Sequence, residues 1–186
     1  MMSMLWSLIF LLGGLLLLAI VPRYFGFASQ RPADWKGKGP AFDPQRDLAG
    51  AIVCEGVIYG PFGRVTSRFV AEMQGDWQGN RGVLRESFRY DNGEVQLREW
   101  QLLIREDGRL EAKAADVPGI GRGCISGPTV QMLYDIRLPE SAGGHVLSVV
   151  DWMYLAENGT IINRSQFRKF GIKVAELVAT MRRVQA

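Results

Sequence analysis

The sequence predicts an all-β fold, an antiparallel meander of nine or ten strands that curls shut into a barrel, preceded by one N-terminal transmembrane helix. Three observations predict it. From Ala51 onward, short segments of alternating apolar and polar residues follow one another, which is the period of a half-buried strand. Turn signals separate them at Gly60-Pro61, Gln78-Gly79-Asn80, Asp91-Asn92-Gly93, Asp107-Gly108, Pro118-Gly119, Gly127-Pro128, Gly143-Gly144 and Asn158-Gly159. Strands so spaced join in order, and closure removes the two free edges such a sheet would expose. Before all of them stands Met1–Val21, which contains no charged residue.

At 1.5 Å per residue that first segment reaches roughly 31 Å, about the hydrocarbon thickness of a bilayer. Trp6 at one end and Arg23-Tyr24 at the other suit interfacial anchors. A cleaved signal peptide is the rival reading, with small residues at Gly26-Phe27-Ala28, although no basic stretch precedes the apolar run. The chain then divides into residues 1–22 as a transmembrane helix or signal anchor, 23–47 as a tether, and 48–186 as the barrel domain. The tether carries Pro32, Pro40 and Pro44 and the Lys36-Gly37-Lys38-Gly39 stretch. Arg23, Arg31, Lys36 and Lys38 follow the span, and that charge bias by itself keeps the domain on the cytoplasmic side.

Composition excludes more than it proposes. Hydrophobic residues make up 47% and charged residues 22%, as in ordinary globular domains. A formal charge of +3 is a small surplus, and no nucleic-acid-binding signature accompanies it. From Arg164 onward, Arg164, Arg168, Lys169, Lys173, Arg182 and Arg183 oppose the single acid Glu176, which suits either anionic headgroups or a solvated basic edge.

Two Asn-Gly dipeptides fix the expected strand registers, since a two-residue type I′ loop dictates which residues stand opposite. Around Asn158-Gly159, Tyr154 should pair with Asn163, Trp152 with Ser165 and Val150 with Phe167. One face then carries Trp152, Tyr154, Asn163, Ser165 and Phe167, an apolar wall with an amide and a hydroxyl, as expected beside a pocket. Around Asn92-Gly93, Glu86 should pair with Glu99 on the apolar face of Phe88, Tyr90 and Leu97. Two carboxylates so placed demand a shared proton, a cation or a polar ligand between them. Arg85, Arg89, Arg98 and Trp100 would face solvent. The segment Lys173–Arg183 reads equally as strand or helix.

Familiar catalytic constellations lack parts. His145, in a turn, is the one histidine, so neither a Ser-His-Asp triad nor a histidine-rich metal site can be assembled. No metal and no cofactor are expected. Cys54 and Cys124 sit on separate strands, as a disulfide in an oxidising compartment or as two buried thiols. Two glycosylation sequons fall on a turn and a strand and are set aside. Gly119-Ile120-Gly121-Arg122-Gly123 has no helix pattern after it and reads as a strand crossing instead of a phosphate loop. Asp116 suits a strand-end cap and, less well, an acid.

Several short motifs are in order along the chain: Leu84-x-Glu86-x-Phe88-x-Tyr90-Asp91-x-Gly93, Arg98-x-Trp100, Ala115-Asp116-x-x-Gly119, Tyr134-Asp135-x-x-Leu138, Asp151-Trp152-Met153, Asn163-Arg164 and Lys169-Phe170-Gly171. Through them the chain, from about Phe42 to Arg182, resembles the bacterial domain-of-unknown-function family 3833. That resemblance implies a small envelope-associated domain without an assigned activity, often a lipoprotein; the barrel expected from the strand pattern is of calycin or lipocalin type. Some similar proteins are encoded beside cyclopropane-fatty-acid-type enzymes, which implies a connection to lipids. This chain lacks a lipobox cysteine, its leader ending in Val21-Pro22-Arg23, so a span replaces the lipid anchor. The resemblance favours a bacterial inner-membrane protein with one span and a periplasmic domain, against the charge bias. Glu99 falls where similar proteins tend to be apolar, leaving Glu86 the firmer carboxylate.

Three function classes follow. In the first, a membrane-tethered barrel binds or presents a lipid or other apolar small molecule. Met132, Tyr134, Ile136, Trp152, Tyr154 and Phe167 form its wall, and Glu86, Asn163 and Ser165 its polar contacts. In the second, the barrel is an enzyme acting on fatty acyl chains, with Glu86 or Asp116 as general acid or base. In the third, it is an accessory protein that docks a lipid-modifying membrane enzyme through Arg85, Arg89, Arg98 and Trp100.

Overall fold

The computed structural model describes residues 24–184, together with 6, 7, 10, 11, 13 and 14 before them. The span expected over Met1–Val21 lies outside the described residues apart from those few positions. Among the described residues no helix is long and apolar enough to cross a membrane.

Ten antiparallel strands follow one another: β1 (Gly50–Tyr59), β2 (Val65–Gln78), β3 (Arg81–Tyr90), β4 (Val95–Ile104), β5 (Arg109–Lys113), β6 (Gly121–Ser126), β7 (Thr129–Arg137), β8 (Val146–Leu155), β9 (Ile161–Lys169) and β10 (Ile172–Arg183). Each pairs with the next, and β10 pairs back onto β1 from Ile52↔Arg183 to Tyr59↔Glu176, so the sheet is a closed barrel. The ambiguous last segment is therefore a strand. Its alternating pattern satisfies the β1 edge, which a helix could not do.

Four hairpins reverse through three residues ending in glycine: Pro61-Phe62-Gly63, Asp91-Asn92-Gly93, Glu106-Asp107-Gly108 and Glu157-Asn158-Gly159. In the last, Ala156 N donates to Thr160 O at 2.8 Å and Gly159 N to Ala156 O at 3.0 Å. Gly159 takes φ +80°, but among the described residues Phe170 is the one non-glycine with positive φ, so Asn158 lacks the conformation a type I′ turn requires. These loops are type I turns closed by a left-handed glycine. They hold one residue more than the loops expected from sequence, and each register moves by one.

That shift exchanges the faces of a strand. Asp151 pairs with Ser165, Met153 with Asn163 and Val149 with Phe167. Glu86 pairs with Arg98, not Glu99, and Leu84 with Trp100. Asp151, Arg98 and Trp100 thus enter the barrel, while Trp152, Tyr154 and Glu99 leave it.

One end of the barrel is closed. A short helix α1 (Pro44–Asp47) is capped by Asp43, whose carboxylate accepts from Gln45 N at 3.0 Å. It holds the buried Phe42 and Leu48 under the strands. Phe42 N donates to Gly127 O at 2.8 Å, and Gln45 Nε2 to Gly79 O at 2.7 Å. Above this plug, Ile52, Met73, Leu110, Val130, Leu155 and Ile161 are among the residues of a packed apolar layer.

Residues 27–35, within the stretch expected as a tether, lie against the outside of the barrel. The ring of Trp35 meets Tyr154 edge-on at 5.5 Å, the Tyr154 hydroxyl hydrogen-bonds Gln30 Oε1 at 3.1 Å, and Arg164 covers Phe27 at 4.5 Å. Trp152, stacked on Tyr154, is completely buried in this outer layer.

Candidate functional site

The remaining interior is a cavity of about 740 Å³ that extends from Leu48 at the closed end to Leu138, Pro139 and Ser141 at the other. Its size is ordinary for a small-molecule pocket. Apolar residues from nearly every strand form its wall, among them Phe69, Phe88, Met132, Ile136 and Phe167.

Midway along the strands the wall becomes polar. Glu86 on β3 and Arg98 on β4 stand opposite each other and both face the cavity. Arg98 Nε lies 3.1 Å from the carboxylate of Asp116, just beyond β5, in a pair with side chains only 13% and 23% exposed. The guanidinium stacks 4.2 Å from the Trp100 ring and 5.9 Å from that of Tyr134. Across the cavity, Asp151 Oδ1 accepts from Ser165 Oγ at 2.8 Å and from Asn163 Nδ2 at 2.5 Å.

Two atoms in this girdle have no hydrogen-bond partner although they are buried: Glu86 Oε2 and Arg98 Nη2. An unpaired buried polar atom is costly, more so when charged. Burial pushes the Glu86 carboxyl up to about 7, against the nearby Arg98 charge and a hydrogen bond from Trp100, with Asp151 and Asp116 adding to the rise. Burial likewise raises Asp151 above the usual carboxylate range, partly offset by Ser165 and Asn163. The Tyr134 phenol is raised for the same reason, with Asp151 contributing.

Of the residues expected from sequence, Glu86, Asp116, Tyr134, Asn163, Ser165 and Phe167 all reach the cavity, as do Met132 and Ile136. Trp152 and Tyr154 do not, because the register places them on the outer wall beneath residues 27–35. Glu99 is outside as well, 3.1 Å from Arg85 Nε, so the expected pair of buried glutamates does not form. The outward patch of Arg85, Arg89, Arg98 and Trp100 is likewise split, its last two members lying inside. Sequence reasoning missed Arg98, Trp100 and Asp151. Counting the loops as three residues brings all of them inward.

As chemistry, the girdle binds and exchanges protons more readily than it attacks. Cys54 faces the cavity, yet burial, with Glu86 and Glu55 nearby, pushes its thiol up to about 12, so it is not a thiolate. Cys124, on β6, is also free and only half-buried. Glu86, titrating near neutrality, is suited to proton transfer, while Asp116 is committed to Arg98.

Solved structures share the barrel. The crystal structure of Rv2717c from M. tuberculosis is similar with a TM-score of 0.56 at 15% identity, over 79% of this chain and 99% of that one. A protein of unknown function from the DUF3598 family of Nostoc punctiforme gives 0.55 at 13%, over 78% of this chain and 51% of its own. The S-type phycobiliprotein lyase of Guillardia theta gives 0.51 at 8%, over 75% and 90%. No curated protein matches the chain. The family model described as "Protein of unknown function (DUF3833)" matches residues 22–183, almost the entire sequence, and the chain belongs to that family.

Proposed function

We propose that the barrel binds an elongated, largely apolar molecule whose single polar end rests against Glu86 and Arg98, and that Met1–Val21 holds the barrel at a bacterial inner membrane with the domain on the periplasmic side. The observation that carries the ligand reading is the pair of unpartnered buried atoms, Glu86 Oε2 and Arg98 Nη2, in the polar girdle of a largely apolar cavity. Arg98 Nη2 offers a donor. Protonated or not, Glu86 offers the complementary group. Glu86 and Asp151 are pushed toward their neutral forms and Asp116 is paired with Arg98, so the girdle carries little net charge and favours a neutral polar end: an alcohol, an amide or a protonated carboxyl group. Asn163 and Ser165 line the far side, Tyr134 lies beside Arg98 and Trp100, and Met132, Ile136 and Phe167 contact the apolar part.

The anchor reading rests on the length and charge-free composition of the first segment, and the periplasmic placement on the envelope association of similar proteins. A second reading, an enzyme acting on acyl chains, is favoured by the burial of Glu86 at the cavity wall, which pushes its carboxyl up to about 7. Mass spectrometry of organic extracts from the detergent-purified full-length protein tests the ligand reading: a stoichiometric apolar compound with one polar end supports it, and an extract holding detergent alone opposes it.

A further inference from the structure

We propose that the open end of the barrel is a lipid-docking surface, which inserts the tips of its loops into the interfacial layer of a membrane and brings the cavity mouth against the acyl chains. The five connections at this end and the strand residues that flank them expose large apolar side chains: Phe62 between β1 and β2, Val95 at the start of β4, Ile120 before β6, Val146 at the start of β8, Phe170 between β9 and β10, and Ile172 at the start of β10. Phe62 is 95% and Phe170 93% exposed. Single exposed apolar residues are normal on soluble surfaces, but a ring of them around one opening is not.

The opposite end shows the contrast. Its turns are Gln78-Gly79-Asn80, Glu106-Asp107-Gly108, Gly127-Pro128 and Glu157-Asn158-Gly159, without one large apolar residue; Val184, beyond β10, is the exposed exception. On the outer wall, Leu97 continues the Val95 face of β4 and is 77% exposed, while Leu133 and Ile162 stand singly and are about half exposed.

Phe170 adds an independent observation. The Phe170-Gly171 loop is a true two-residue reversal, Lys169 pairing with Ile172, and Phe170 adopts φ +52°. A bulky residue in the left-handed region is strained, and asparagine serves that position better. The chain thus holds a phenylalanine where both backbone and solvent disfavour it, which points to a use outside the fold.

Three facts favour a lipid surface over a protein partner. The apolar side chains are spread over separate tips around a mouth, with Arg64 and Lys169 beside Phe62 and Phe170 where headgroups would lie. Lys169 lies 5.8 Å from the Phe170 ring. The N-terminal segment also leaves the closed end at Phe42 and climbs the outer wall past Tyr154 to Arg164, toward the mouth, before it reaches the charge-free Met1–Val21. The use of this surface in loading rests on the ligand reading above, but the docking itself does not.

The test is depth measurement by electron paramagnetic resonance on full-length protein reconstituted in phosphatidylethanolamine–phosphatidylglycerol vesicles. Spin labels are placed by Phe62→Cys, Ile120→Cys or Phe170→Cys at the mouth and Asp107→Cys or Asn158→Cys at the closed end. The background is Cys124→Ser, since Cys54 is buried. Docking predicts mouth labels that are open to oxygen and shielded from an aqueous nickel chelate, at about 5–10 Å below the headgroup boundary, with the reverse at the closed end. Mouth labels as open to the chelate as closed-end labels would overturn the proposal, and mouth labels shielded from both reagents would overturn it in favour of a second copy seated mouth to mouth. Neither readout depends on what occupies the cavity, so a failure here leaves the ligand reading standing.

Discussion

Glu86 and Arg98 stand opposite each other on β3 and β4 inside the barrel, and each keeps one buried polar atom that no protein group satisfies. A purely structural ion pair would close on itself. Arg98 instead gives Nε to Asp116 and leaves Nη2 buried without a partner, while Glu86 keeps Oε2 free.

The Glu86 carboxyl, pushed up to about 7 from an ordinary 4.5, makes stability pH-dependent. Between those values the folded chain holds a proton that the unfolded chain releases, so this group lowers stability as pH rises from about 4.5 to 7, by roughly 3 kcal/mol in full. Glu86→Gln cannot ionise. Its stability should match wild type near pH 5 and exceed it by roughly that amount at pH 8, as read by urea denaturation at both pH values. An equal difference at both would show that Glu86 titrates normally.

Arg98→Met leaves Asp116 without its partner in a largely buried place and should cost about 3 kcal/mol. Adding Asp116→Asn removes the stranded charge and should recover most of that loss. A double-mutant cycle by chemical denaturation measures it, and strictly additive effects would mean that the two side chains are not coupled.

These residues also show what the sequence discloses. Alternation and turn spacing reveal the strands and their order, because period and punctuation are local properties. Register is not local in the same way. Asn-Gly serves both as the centre of a type I′ loop and as the end of a three-residue loop, and the two differ by one residue. Glu86 is placed correctly because Phe88 and Tyr90 mark its face, whereas Arg98 and Trp100 inherit the error across the turn. Trp152 and Tyr154 are apolar for a real reason. They are covered from outside by Phe27, Gln30 and Trp35, a second buried face that alternation alone cannot distinguish from a cavity wall.

Phe170→Asn separates stability from surface use. Asparagine accepts φ near +52° far better, so the variant should be more stable by about 1 kcal/mol. A thermal or urea transition displaced upward supports the reading that Phe170 is kept for a contact outside the fold. A transition displaced downward would show that its ring stabilises the barrel itself.

Retention of a bound molecule by Glu86→Met tests the central claim most directly. Methionine fills nearly the same space, removes the buried carboxyl and offers no hydrogen bond, so the variant should be at least as stable as wild type at pH 8. Native mass spectrometry of full-length protein released from detergent should find about one apolar molecule per wild-type chain, and retention reduced about tenfold in the variant, the loss of one hydrogen bond to the ligand's polar end. A wild-type chain without any such adduct, or a variant that retains it undiminished, would contradict the assignment of Glu86 and Arg98 as the polar end of a binding site.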